Sequence, residues 1–316
     1  MIDFLLLICG IAGLWFGSET LIKGAMALAD RYRITDALFG MLVLAIGTDL
    51  PELFVAFDAS FRSRAGEDLS GIVIGSAIGS TIAQFALVFG IAGFSGYPPM
   101  QRMFLPRNAF FLVGSIVAVF FFSMDGRISR PEGVLLIIYY AAYLAVLVLR
   151  RVEVDNPDGR VSHSPAWRAW LTLAFGLALL LIAAELTVVY AAEFAREVGL
   201  SNIAVSAVVI GMGSSLPELS VSFVALLRKR SGLSVGNLVG SNVLDTLLVP
   251  GIAAVISPVI VPAAILLVDL PVLLASTLLV LIFLYVSPRG VRGPEATILL
   301  TIYFGYATVR LVGPGS

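Results

Sequence analysis

The chain has 316 residues, of which 59% are apolar and 13% charged, and its mean hydropathy is +1.00. A soluble domain carries about 25% charged residues, so a surface covered by water is excluded and the chain belongs in lipid. The net charge of −1 offers no field to nucleic acid, and a single cysteine excludes an internal disulfide framework.

In chain order, the opening Met-Ile-Asp-Phe-Leu-Leu-Leu lacks the basic start and cleavage site of a signal peptide and reads as part of a first span. Cys9, in the same apolar run, reads as a packed, inert thiol. Ten apolar stretches follow one another, at 4–30, 38–61, 71–94, 104–123, 132–150, 167–195, 203–227, 233–256, 262–286 and 295–313. Each is near the length that crosses a bilayer, and none alternates with period two, so helices are expected and barrel strands are not. The one histidine, His163, falls in the polar linker and reads as solvated, which leaves no His-based metal site and no Ser-His pair.

Basic residues orient the spans. The loops after the odd-numbered spans hold 13 Lys and Arg against six on the other side. This predicts cytoplasmic odd loops and both termini outside, in a multi-pass protein of the cell (inner) membrane.

The chain also repeats itself. ITDALFGMLVLAIGTDLPEL at Ile34–Leu53 aligns with LSNIAVSAVVIGMGSSLPEL at Leu200–Leu219 at an offset of 166, matching Glu52 to Glu218. GSAIGSTIAQFALVFG at Gly75–Gly90 aligns with GNLVGSNVLDTLLVPG at Gly236–Gly251 at an offset of 161. Glu19 and Glu185 keep the first offset. Each copy holds five spans, and an odd number inverts the second copy in the membrane. The prediction is an all-α membrane protein of ten transmembrane helices in two inverted five-helix repeats. Residues 1–150 form the first, 151–166 a cytoplasmic linker and 167–316 the second, together one transport domain.

GTDLPE and GSSLPE inside a span carry their own chemistry. Proline removes a backbone donor and glycine loosens the chain, so spans two and seven should break at Ala45–Pro51 and Gly211–Pro217. The carbonyls of Ala45 and Gly211 are expected to be freed there and to face a cation. Thr48, Ser214 and Ser215 add hydroxyls beside Glu52 and Glu218. An acid at a helix centre costs about 2.5–3.5 kcal/mol on insertion scales. No Lys or Arg falls mid-span in spans two, three, seven or eight, so a mobile cation or proton is the natural partner. Ser80 with Gln84, and Ser241 with Asp245, are each four residues apart and share a helix face. Such oxygens suit hard cations such as Na⁺ and Ca²⁺ rather than zinc or copper. Glycines of these spans, Gly236 and Gly240 among them, read as packing residues. Glu19 and Glu185 read as structural or as lining the way in.

These blocks resemble the alpha repeats of the cation/calcium antiporter superfamily, in particular the GTSLPE and GSNI-type signatures of prokaryotic sodium/calcium exchangers. The resemblance implies Ca²⁺ for Na⁺ exchange by alternating access, with no cofactor and no enzymatic activity. By position it maps the ion ligands to Glu52, Thr48, Ser80 and Gln84, and to Glu218, Ser214, Ser215, Ser241 and Asp245, with carbonyls from Ala45 and Gly211. The expected partners are the transported cations and the bilayer, and a functional monomer is expected. Two positions depart from the pattern. Asp49 stands where serine is usual and adds a carboxylate to the ligand set, and Gln84 replaces Asn or Asp. The extra acid leaves proton coupling, potassium co-transport, another stoichiometry or another divalent ion open. An intramembrane aspartyl protease lacks its GxGD motif here, and a structural scaffold leaves the symmetric acids unexplained.

Overall fold

The computed structural model of the chain describes residues 2–66, 69–94, 105–149, 165–197, 213, 215–286 and 290–312. The expected helices form there. They are α1 (Ile2–Tyr32), α2 (Asp36–Thr48), α3 (Leu50–Arg64), α4 (Ser70–Gly93), α5 (Leu105–Phe122) and α6 (Arg130–Leu149). Then come α7 (Ala166–Glu197), α8 (Leu216–Leu227), α9 (Ser231–Ile256), α10 (Ile265–Val286) and α11 (Gly293–Val312). Among the described residues six helices are long and apolar enough to cross a membrane, or seven when α2 and α3 count as one span. The chain is therefore a multi-pass helical membrane protein, and the count of ten spans is not reached by length and composition alone. The seventh expected stretch, 203–227, is described only in part, and α8 is its C-terminal portion.

Local chemistry places the helix ends. Thr35 accepts the Leu38 amide at 3.2 Å and starts α2. Before α6, Glu132 accepts both the amide and the hydroxyl of Ser129, at 2.7 and 2.6 Å, the glutamate half of an N-terminal capping box. The loops after α5 and α9 are stitched by a two-residue ribbon, with β1 (Arg127–Ile128) antiparallel to β2 (Val259–Ile260).

The packing is inverted relative to a soluble protein. Trp15, Phe16, Phe54, Phe121, Trp167 and Phe175 face outward, while Thr48, Asp49, Ser80, Gln84, Glu218 and Asp245 are buried. That is the order expected when the solvent is hydrocarbon. One apolar cluster joins α4, α5, α6, α9, α10 and α11, and a second forms where α1 and α7 meet α8. The long helices α1 and α7 approach closely: a methyl on Gly24 would sit 2.5 Å from the Leu173 amide nitrogen, and one on Gly17 2.7 Å from that of Leu180. Small residues permit such backbone contact in membranes. Cys9 is exposed on α1 rather than packed, among exposed apolar neighbours such as Leu5, Ile8 and Ile11 that hydrocarbon tolerates.

Candidate cation site

The site starts at a break. A bend of 46° separates α2 from α3, and Asp49 sits in the gap with φ −87° and ψ 6°. Its repeat equivalent, Ser215, precedes α8 with φ −91° and ψ 4°. Both following helices open with proline, Pro51 and Pro217, which needs no partner for a missing N–H in a first turn. Glu52 and Glu218 therefore stand in first turns, where the unsatisfied amides and the helix dipole favour negative charge. One expectation is corrected here. The Ala45 carbonyl is not freed: it accepts the Asp49 amide at 3.1 Å and the Thr48 hydroxyl at 3.3 Å. Pro51 deprives the carbonyl four residues back, which is that of Gly47. Both lone pairs of Ala45 are thus engaged, one by the main chain and one by a hydroxyl that can turn aside for an ion.

Two further segments widen into π-helical turns, Ala83–Val88 in α4 and Leu244–Leu248 in α9. They match at the repeat offset, and each carries a site residue, Gln84 or Asp245, at its second position. A π turn inserts one extra residue per turn and re-aims the side chains beyond it, a habit of functional sites.

The described site residues are Ala45, Thr48, Asp49, Glu52, Ser80, Gln84, Ser215, Glu218, Ser241 and Asp245, none more than 5% exposed. Gly211 and Ser214 lie outside the described residues. The two copies interlock. The hydroxyls of Ser80 and Ser215 lie 3.3 Å apart, and the Gln84 amide donates to Asp245 at 3.4 Å and to Ser80 at 3.3 Å. Asp49 lies within the field of Asp245, Glu218 and Glu52, and Glu52 within that of Glu218 and Asp245. Both oxygens of Asp49, Glu52 and Glu218, and Oδ1 of Asp245, are buried without a donor. Two unit charges 4 Å apart repel by about 4 kcal/mol at an effective dielectric constant of 20, so this cluster demands positive charge. Among the described residues no three carboxylates form a ready-made metal cage. A cation held here would complete its shell from hydroxyls and main-chain carbonyls.

Close packing sets the geometry. A methyl on Gly240 would sit 2.7 Å from the Ala45 Cβ and 2.8 Å from the Met41 carbonyl, and one on Gly236 would strike Ala37. These glycines let α9 lie against α2.

Two buried amides went unread in the sequence. Asn237 accepts from Thr48 at 3.4 Å, and Asn242 donates to Gln84 at 2.8 Å. The available signal was the intramembrane asparagine itself, which seeks cross-helix partners. Glu19 lies outside the cluster, paired with Arg228 and with Lys23 at 3.1 Å, while Glu185 is exposed.

The sequence profile of the sodium/calcium exchanger protein family matches residues 2–149 and 168–312, nearly the whole chain. The chain belongs to that family. As a family member it is a cation antiporter and not an enzyme. The exchanger-family chain is 25% identical to the sodium/calcium exchanger MaX1 of Methanosarcina acetivorans, with 98% of each chain covered. It is 29% identical to the inner membrane protein YrbG of Escherichia coli over 80% of this chain and 79% of that one. It also superimposes on the solved sodium-calcium exchanger NCX_Mj soaked with 100 mM Na⁺ and 10 mM Sr²⁺. The TM-score there is 0.82, with 26% identity and 97% of each chain covered.

Proposed function

We propose that this antiporter exchanges Ca²⁺ for Na⁺ at one buried site. The reading rests on a single observation: the carboxylates of Asp49, Glu52 and Glu218 are buried together with no hydrogen-bond donor. Thr48, Ser80, Ser214, Ser215, Ser241 and Asp245, with main-chain oxygens of Ala45 and Gly211, complete the ligand set. The two cations compete for Glu52 and Glu218. In this reading residues 1–150 and 167–316 are inverted halves joined by 151–166, both termini are external, and one chain suffices. Alternating access follows from α1 and α7 sliding over the broken helices, which hold the ions near the midplane. MaX1 and NCX_Mj are named for this exchange, which supports the assignment of ions.

The test is flux into vesicles holding the purified protein. Na⁺-loaded vesicles should take up Ca²⁺ when external Na⁺ is removed, and absence of uptake would refute the reading. Gradients of K⁺ and of pH imposed singly separate the other couplings. The buried carboxylate of Asp49 makes the pH arm the informative one, and uptake driven by that gradient alone would transfer the site to proton exchange.

A further inference from the structure

A buried hydrogen-bond chain runs from the main chain of α9 into the site. Asn242 Nδ2 donates to the Leu238 carbonyl at 2.5 Å and to Gln84 Oε1 at 2.8 Å. Gln84 Nε2 then donates to Ser80 Oγ at 3.3 Å and to Asp245 Oδ2 at 3.4 Å. A main-chain carbonyl only accepts, and so does an ionised carboxylate. With acceptors at both ends, the direction of every bond between them is settled. Asn242 must present its NH₂ group to Leu238 and Gln84. Gln84 must then turn its oxygen to Asn242 and its NH₂ group to Asp245.

The repeat shows why this chain exists in one copy only. Thr81 stands where Asn242 stands, at the offset of 161, and its hydroxyl returns to the Ala77 carbonyl at 2.7 Å. Both side chains thus bond the carbonyl four residues back. A hydroxyl has one proton and spends it there. An amide has two, and the second reaches Gln84.

We propose that Asn242 is a positioning residue for cation exchange. It holds the Gln84 amide so that Gln84 anchors one oxygen of Asp245 and leaves the other, Oδ1, for the transported ion. That oxygen is buried and has no partner. Gln84 accordingly serves the site as a donor to Asp245, not as an oxygen ligand. The proposal depends on the exchange reading above.

The decisive variant is Asn242→Thr, which keeps the bond to Leu238 and removes the second donor. Equilibrium binding of ⁴⁵Ca²⁺ to the full chain in detergent is compared for wild type, N242T, Q84A, Q84E and the N242T/Q84A pair. N242T should weaken Ca²⁺ binding roughly threefold to tenfold, the worth of one hydrogen bond. Added to Q84A it should have no further effect, because residues acting in series do not add. Q84E, which sets a carboxylate against Asp245, should weaken binding by about tenfold or more. The proposal is overturned by N242T binding like wild type, by effects of N242T and Q84A that multiply, or by Q84E binding Ca²⁺ more tightly. If N242T does not fold, Asn242→Ser supplies the same single donor. If the wild-type protein binds no Ca²⁺, the exchange reading fails on its own. The chain is then tested by unfolding midpoints of the same variants: non-additive shifts uphold it and additive shifts sink it.

Discussion

Gln84 and Asp245 occupy the same position in the two copies of the repeated segment, 161 residues apart, and their side chains meet, Nε2 to Oδ2 at 3.4 Å. Equivalent residues that touch mark the place where the two copies face each other. The contact is unequal, an amide against an acid, so the duplicated site is not symmetric in charge. Negative charge gathers instead on Asp49, Glu52, Glu218 and Asp245, all buried.

Glu52 and Glu218 carry the first prediction. Replacing both by glutamine keeps their volume and removes two negative charges. Na⁺-dependent Ca²⁺ uptake into vesicles should fall below about a tenth of wild type, the equivalent of at least 1.4 kcal/mol in cation affinity. Retained uptake at half the wild-type rate would remove these residues from the site.

Ligand binding should appear as stability. A cation that binds only the folded chain at 100 times its dissociation constant stabilises it by about 2.7 kcal/mol. Saturating Ca²⁺ should therefore raise the unfolding midpoint of the purified protein in detergent by several degrees. The rise should vanish in the double glutamine variant, and a rise of equal size in both proteins would point to a different site.

Asp49 stands at the helix break where the second copy has Ser215 in nearly the same backbone conformation. Asp49→Ser removes an acid that has no donor, and an unsatisfied buried group costs about 1–3 kcal/mol. The variant should melt higher than wild type without cations and bind Na⁺ more weakly with them. Calorimetry in the absence and presence of Na⁺ checks both signs together.

Arg230 and Arg228 should behave differently although both bridge to the first half of the chain. The Arg230 side chain is 8% exposed and meets Asp30 at 2.7 Å and Asp36 at 3.4 Å. Removing it takes a buried cation away from Asp30 and Asp36, so Arg230→Ala should destabilise by about 3 kcal/mol. The Arg228 side chain, bonded to Glu19, is 46% exposed, and Arg228→Ala should cost no more than about 1 kcal/mol. Thermal unfolding of the two variants side by side gives the comparison, and equal losses would contradict it.

Gly240→Leu should separate α9 from α2. A side chain there meets the Ala45 methyl and the Met41 backbone, and neither can retreat without moving a helix. Ca²⁺ uptake should be lost in a protein that still inserts, as judged by membrane yield and helical content.

Much of this molecule could be read along the chain. Hydrocarbon cannot hydrogen-bond a backbone, so apolar runs of bilayer length became helices, and a proline beside a glycine became the break at Asp49. Duplication revealed itself because Glu52 and Glu218 kept their register with Gly47 and Gly213, and with Pro51 and Pro217. Other features needed three dimensions. The π turns at Gln84 and Asp245 have no period of their own along the chain and show only in the folded backbone. The Ala45 carbonyl was expected free and is occupied, since the turn before the break stays closed. The roles of Asn237 and Asn242 depend on which neighbour lies opposite. An amide carries a donor and an acceptor on one carbon, and sequence does not say which of them faces a given partner. At Gln84 that choice is made by the Leu238 carbonyl, two side-chain hydrogen bonds away and 154 residues further along the chain.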